Sequence, residues 1–207
     1  DVVCLQELDV RRQRTGRVDQ AEAIAADLTM TSRFHPAIQL AEEEYGDAIL
    51  TALPMSVIRA GTLPRLKAAL EPRGALWVEL QDNGTTWQLI NTHFGLGRVE
   101  RRAQGKALAA WVEEALAKPP VIVCGDLNSR PASAVHAFFQ THLRDAQLAI
   151  HRRHQRTFAT RFPWICLDYI YVSPDVEVHR AEVIRTPLSM LASDHFPLVA
   201  EIRRKSE

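Results

Sequence analysis

The sequence holds 207 residues, 46% of them apolar and 24% charged, with 25 Lys plus Arg against 25 Asp plus Glu. That length and apolar content suit one folded domain, residues 1–207, and exclude both a disordered chain and two ordinary domains. The zero formal charge excludes a whole-protein polycation, so affinity for nucleic acid would rest on local runs such as Arg11 to Arg17 or His151 to Arg156.

In chain order, Val2 to Leu5 reads as a buried strand with Gln6 and Glu7 at its end. Ala21, Ile24, Ala25 and Leu28 repeat at helical spacing behind an Asp19 N-cap. Strands follow at Ala48 to Leu50, Val57 to Leu63, Ala75 to Leu80 and Trp87 to Ile90, the last two joined by the hairpin signal Asp82-Asn83-Gly84. A helix over Val99 to Ala117 stops at Pro119-Pro120 and the strand Val121 to Cys124 comes next. Then come the loop Gly125 to Pro131, a short helix Ala134 to Phe139, and the basic linker His151 to Arg156, read as a surface loop. Strands at Leu167 to Val172, Val176 to Ile184 and Leu198 to Ile202 close the chain. So many strands beside few helices point to two packed sheets with helices outside.

Cys4, Cys124 and Cys166 stand one per apolar run, without zinc-like or disulfide spacing, and read as buried thiols of a reducing compartment. No apolar run nears the roughly 20 residues that span a bilayer, and the opening is an acid before a strand, so a cytoplasmic protein is expected. Beginning without Met in a core-like segment, the sequence is expected to follow an upstream piece.

Polar groups cluster where strands begin or end: Glu7, His93, Asp126 with Asn128, Asp168, and Asp194 with His195. Such positions are where a rigid scaffold presents functional groups. Carboxylates and a carboxamide without clustered thiolates suit a hard cation such as Mg²⁺ better than zinc. The two histidines titrate near neutral pH and can be oriented by an acidic partner.

Each piece alone is an ordinary turn or strand end; their order is distinctive. Asp1-Val-Val-Cys-Leu-Gln-Glu7, Gly46-Asp-Ala-Ile-Leu-Thr51, Asn91-Thr-His93, Gly125-Asp-Leu-Asn128, Leu167-Asp-Tyr-Ile-Tyr-Val-Ser173 and Ser193-Asp-His195 together resemble the endonuclease/exonuclease/phosphatase superfamily. That group includes pancreatic deoxyribonuclease, abasic-site endonucleases, neutral sphingomyelinases and inositol polyphosphate 5-phosphatases. Thr92 to Gly97, Arg156-Thr-Phe158 and Phe162-Pro163 are similar to its small bacterial stand-alone members.

The resemblance implies an α/β fold, a four-layer sandwich of two packed mixed β-sheets flanked by helices. It implies divalent-metal-dependent hydrolysis of phosphoesters, with Mg²⁺ or Mn²⁺ held by Glu7, Asp194, Asp126 and Asn128. His93 matches the histidine that contacts the scissile phosphate or protonates the leaving group, Asp126 the group that positions or deprotonates water, and Asn128 a phosphate-holding amide. Asp168 and His195 match the paired acid and histidine. Asp47 replaces the family's Asn and Cys166 replaces an Arg; the family usually begins one strand earlier, with an Asn, and that strand is expected to be missing before Asp1. Arg98, Arg101 and Arg102 follow His93 and suit anion recognition, Arg98 and Arg102 being taken with Asp47 and Trp164 as substrate-binding candidates. Trp164 would stack on a base, sugar or acyl face.

The expectation is therefore a phosphodiesterase acting by in-line water attack on a small, lipid or nucleic-acid phosphodiester, as a monomer without a stable protein partner. The alternatives are a DNA or RNA endo- or exonuclease and a phosphate-binding module of this fold that has lost turnover.

Overall fold

The computed structural model describes residues 1–67 and 70–205. β1 (Val2–Val10) leads through a single 3₁₀ turn to α1 (Gln20–Asp27), whose Asp19 cap accepts the Glu22 N–H at 3.0 Å. β2 (Thr31–Leu40), β3 (Glu43–Thr51), β4 (Met55–Thr62), β5 (Gly74–Asp82) and β6 (Thr85–His93) follow. α2 (Arg98–Ala115) crosses to β7 (Val121–Asp126). α3 (Val135–Gln140), β8 (Arg144–Asp145), α4 (Ala146–Ile150), β9 (Asp168–Val172), β10 (Val176–Val183), α5 (Pro187–Ala192) and β11 (Leu198–Arg204) complete the order.

The layers follow from the period-2 pattern of the strands. In β5, Ala75 and Trp77 join the cluster under α2 and α3, whereas Leu76, Val78 and Leu80 join the cluster between the sheets. The large sheet runs β4-β5-β6-β7-β9-β8 and is mixed, because β6 and β7 are parallel across the α2 crossover. Facing it are the antiparallel ribbons β1-β3-β2 and β10-β11, with Ile49 buried against Leu76, Leu89 and Cys124. α1 covers the far side of the smaller sheet through Ala21 and Ala25, which pack with Leu8 and Leu50. Helix, sheet, sheet and helix are the four layers the resemblance implies. Each buried Leu or Ile in these interfaces contributes about 1.5–3 kcal/mol relative to exposure.

Three differences from the sequence pattern bear on the site. β1 does not stop at Leu5: a bulge carries it past Gln6 and Glu7 to Val10. β2, absent from the sequence reading, is interrupted by Pro36, where its register against β3 shifts. α5 was also unmarked, because Pro187 to Ala192 is too short to show a helical period. The hairpin signal is realised with Asn83 at φ 48° and Gly84 at φ 80°, the two positive values of a two-residue turn. The His151 to Arg156 linker is tied down, with Gln155 N–H donating to Gln147 and the Gln155 amide oxygen accepting from Val183 N–H. All three cysteines are free, Cys4 only partly buried. No helix among the described residues is long and apolar enough to cross a membrane.

Candidate active site

The bulge in β1 creates the first lip. Leu5 pairs with Ala48 and Leu8 with Gly46, so Gln6 and Glu7 together oppose Asp47. Glu7 takes a left-handed φ of 62°, and its side chain, 57% exposed, brings Oε1 to 3.8 Å from Arg73 Nη1 and 3.9 Å from His93 Nε2. Asp47 lies beneath, fully buried, with Oδ2 lacking any partner.

β6 and β7 deliver the next groups side by side, since their parallel register sets His93 opposite Asp126. Their close approach depends on Gly125, at φ 134°, where an added Cβ would lie 1.9 Å from the Thr92 carbonyl oxygen. Asp126 Oδ1 accepts the Asn128 N–H at 2.7 Å, an Asx turn that holds Asn128 at φ 47°. The Asn128 amide then donates to the Phe94 carbonyl at 2.8 Å.

His93 is buried and fixed by Arg73, whose Nη1 lies 2.9 Å from its Nδ1. A guanidinium only donates, so Nδ1 accepts and the single ring proton sits on Nε2. The Asn128 amide nitrogen, 3.1 Å from Nε2 and already donating to Phe94, is thus a neighbour and not a hydrogen-bond partner. Burial, then the charges of Arg73 and His195, push the His93 pKa down to about 3. The close approaches of His93 to Glu7 and Asp126 are therefore not ion pairs; a neutral ring presents an N–H to the cleft.

His195 is the opposite case. Its Nδ1 lies 2.8 Å from Asp168 Oδ2, and its ring packs 4.9 Å from that of Phe158. Burial works against its charge, but the Asp168 hydrogen bond and the charges of Asp168, Asp126 and Asp194 outweigh it and raise the pKa to about 9. Asp126 Oδ2 stands between the two rings, 3.6 Å from His93 Nε2 and 3.8 Å from His195 Nε2. Burial and the Asp168 charge hold the Asp126 carboxyl well above the usual carboxylate range.

The donor set fits a hard divalent cation. Asp126 and Asp168 bring carboxylate oxygens within 4.8 Å of each other, and Glu7 closes the same cleft from β1. Asp47 adds an orphaned buried oxygen, and burial raises its pKa to about 8 against the pull of Arg73 and the Glu7 backbone. Buried carboxylates whose charged forms are disfavoured mark a place short of positive charge.

The remaining candidates are distributed around this centre. Asp194 is exposed beside His195, and its carbonyl accepts the Thr160 N–H at 2.9 Å. Arg98 and Arg102 are exposed on the first turns of α2 and make no side-chain hydrogen bond among the described residues. Arg101 turns inward instead, donating to the Gly95 and Leu96 carbonyls and feeling the Asp126 charge. Trp164 stands over a cleft of about 300 Å³ shared with Arg130, His154 and Arg156, and the Arg130 guanidinium lies 5.6 Å from its ring centre. Phe158 joins this cleft to the centre, touching Trp164 on one side and His195 on the other.

Arg73 is the residue of this cleft that the sequence reading missed. Its signal was present: a cation directly opening the apolar run Gly74 to Trp77, as Asp168 opens β9. It is buried, bonds Glu71 at 2.8 Å as well as His93, and leaves Nε without a partner.

Comparison with known proteins places the chain among relatives. The family model described as the Endonuclease/Exonuclease/phosphatase family matches residues 1–195. The uncharacterized protein YbhP of Escherichia coli (strain K12) is 30% identical over 213 residues, covering 98% of this chain and 83% of its own length. A conserved Enterococcus faecalis V583 protein of unknown function superposes with a TM-score of 0.79 at 24% identity, over 99% of this chain and 85% of that one. The human Nocturnin catalytic domain, solved with a bound sulfate anion, gives a TM-score of 0.76 at 23% identity, over 99% and 81% of the two chains.

Proposed function

This chain belongs to the endonuclease/exonuclease/phosphatase family, a group of phosphoester hydrolases, and we propose that it is a phosphodiesterase dependent on Mg²⁺ or Mn²⁺. One observation carries the reading: a carboxylate oxygen of Asp126 faces a neutral histidine N–H on one side and an acid-paired histidine cation on the other. Hydrolysis of a phosphoester needs a positioned water, donors for the non-bridging oxygens and charge near the leaving group.

Glu7, Asp126, Asn128 and Asp194 would hold the cation, with buried Asp47 adding negative charge behind Glu7. When bound, it would neutralise phosphate oxygens and stabilise the departing one. Asp126, its pKa raised by burial, suits the task of orienting water and taking its proton. With Nδ1 held by Arg73, His93 would offer its Nε2–H to a phosphate oxygen. Asn128 has a second amide N–H to offer after Phe94 takes the first. His195, held by Asp168, supplies the positive charge opposite. Arg73 touches none of the reacting atoms in this scheme and positions His93.

A diester carries a second organic group, and the cleft of Arg130, His154, Arg156 and Trp164 beside Phe158 offers room for it. The test is hydrolysis of bis(p-nitrophenyl) phosphate with Mg²⁺ or Mn²⁺, against EDTA and Asp126→Asn controls. Turnover that needs metal and falls by about 10³-fold or more in the variant supports the reading. Turnover indifferent to chelation overturns it, and metal and phosphate binding without product identifies the silent module.

A further inference from the structure

Among the described residues, the five large apolar side chains more than 70% exposed are Leu96, Val99, Phe162, Leu188 and Leu191. All five stand on segments adjoining the candidate active site. Leu96 and Val99 follow His93, Phe162 precedes Asp168, and Leu188 and Leu191 precede Asp194 and His195. Apolar exposure scattered over a surface is ordinary, as at Leu40, Leu28 and Ile58, but the most exposed members stand on the segments that carry site residues, which marks an interaction site.

These side chains are held out by ordered backbone. Phe94 N–H donates to the Asp126 carbonyl at 2.9 Å, and Gly95 N–H to Gln104 at 2.8 Å, which anchors the Leu96 lip. On the other lip, Phe162 N–H closes a turn onto Ala159, and Thr160 joins that loop to Ser193 and Asp194 at the end of α5. α5 carries a capping box between Thr186 and Ser189, and buried Ser189 turns inward while Leu188 and Leu191 share an exposed face.

The charge on these lips is net basic although the whole chain is neutral. Residues 94–102, 159–164 and 185–194 hold Arg98, Arg102, Arg161 and Arg185, all exposed, and Arg101, which turns inward, against buried Glu100 and exposed Asp194. Apolar side chains at the tip with arginines behind them match the boundary between acyl chains and anionic headgroups. We propose that this rim docks the protein on an anionic phospholipid bilayer with the cleft facing the headgroups. Its substrate would then be a headgroup phosphodiester. The docking surface stands independently of the chemistry, whereas the substrate assignment rests on the phosphodiesterase reading.

The test sediments the full chain with phosphatidylcholine vesicles, with and without phosphatidylglycerol, beside hydrolysis of bis(p-nitrophenyl) phosphate in solution. The wild type is expected to sediment with the anionic vesicles and less as salt is raised. Phe162→Ser with Leu191→Ser, and separately Leu188→Ser with Leu191→Ser, should lower the bound fraction about tenfold while thermal melting and soluble turnover stay at wild-type values. Three results overturn the proposal: wild type left in the supernatant, variants that bind as well as wild type, or a solution dimer that the variants dissolve. Vesicle binding lost in the variants from a protein that turns over no diester supports the docking surface and overturns only the enzymatic reading.

Discussion

Arg73 Nη1 lies 2.9 Å from His93 Nδ1, a bond between two buried side chains that decides which nitrogen of His93 carries its proton. Arg73→Met removes the donor that fixes the tautomer and leaves the ring free to turn. The expected result is a kcat on bis(p-nitrophenyl) phosphate about 10–100-fold lower with KM little changed. Arg73→Lys, which keeps charge but not the planar fork, should recover only part of it. Because Arg73 acts through His93, His93→Ala and the double variant should be equally impaired. Additive losses would mean that Arg73 has a separate role.

Asp168 and His195 form the second fixed pair, and Asp168→Asn tests whether the charge matters. The amide oxygen can still accept from His195 Nδ1, but the negative charge of Asp168 is gone, leaving Asp126 and Asp194 to oppose burial. The His195 pKa then falls from about 9, and less of the ring is charged at pH 8. Turnover at that pH should fall by about 10²-fold or more. A smaller loss at pH 6 than at pH 8, read from the pH–rate profile, separates loss of charge from loss of position.

Asp47 is a buried carboxyl group with an unpartnered oxygen. Burying it without full hydrogen bonding costs stability unless a cation is near. Asp47→Asn is therefore expected to raise the melting temperature in EDTA and to diminish the rise that Mg²⁺ brings to the wild type. Differential scanning fluorimetry with and without Mg²⁺ reads both. An Asn variant less stable in EDTA and unchanged in its Mg²⁺ response would remove Asp47 from the metal's surroundings.

Much of the centre was legible because its groups sit where apolar runs stop. Glu7, His93, Asp126, Asn128, Asp168 and His195 all interrupt or adjoin strands, and chemistry placed there leaves a mark in a one-dimensional pattern. Arg73 escaped because a lone arginine before an apolar run reads as a solvated strand start; only the approach of β5 to β6 shows what it holds. The inward turn of Arg101, against the exposure of Arg98 and Arg102, is likewise a matter of helix phase relative to Gly95 and Leu96. β2 was hidden by Pro36 and a register shift, and α5 by its length.

His136 makes stability depend on pH. Its ring nitrogens are both engaged, Nδ1 with Tyr171 Oη at 2.6 Å and Nε2 with the Arg130 carbonyl at 2.9 Å, as a neutral ring allows. Burial lowers its pKa below the ordinary histidine value, against the backbone bonds of Arg130 and Ser129. The folded state then binds the proton less readily than the unfolded one. Its contribution is present in full above about pH 6.5 and declines as pH falls below that, by up to about 1.4 kcal/mol per pH unit until the folded pKa is reached. Asp47, Asp126 and His195, whose pKa values are raised, act in the opposite direction, so the His136 share is read as a difference: lowering pH from 7.5 to 5.5 should shift the urea midpoint less favourably in wild type than in His136→Gln.

Gly125 and Gly84 both have positive φ, 134° and 80°, but only one is also crowded. At Gly84 an added methyl meets nothing within 4 Å, so Gly84→Ala should cost about 1 kcal/mol for the left-handed backbone alone. At Gly125 the same methyl meets the Thr92 carbonyl oxygen at 1.9 Å, and relief requires β7 to move away from β6. That movement breaks the register that sets Asp126 beside His93, so stability and site geometry fail together. Gly125→Ala is expected to lose more than about 3 kcal/mol in urea unfolding, several times the loss at Gly84. Any folded fraction should have lost most of its metal-dependent turnover. Equal costs at the two glycines would mean that the strands have room to spare, and the close packing of β6 on β7 would no longer explain how Asp126 is placed.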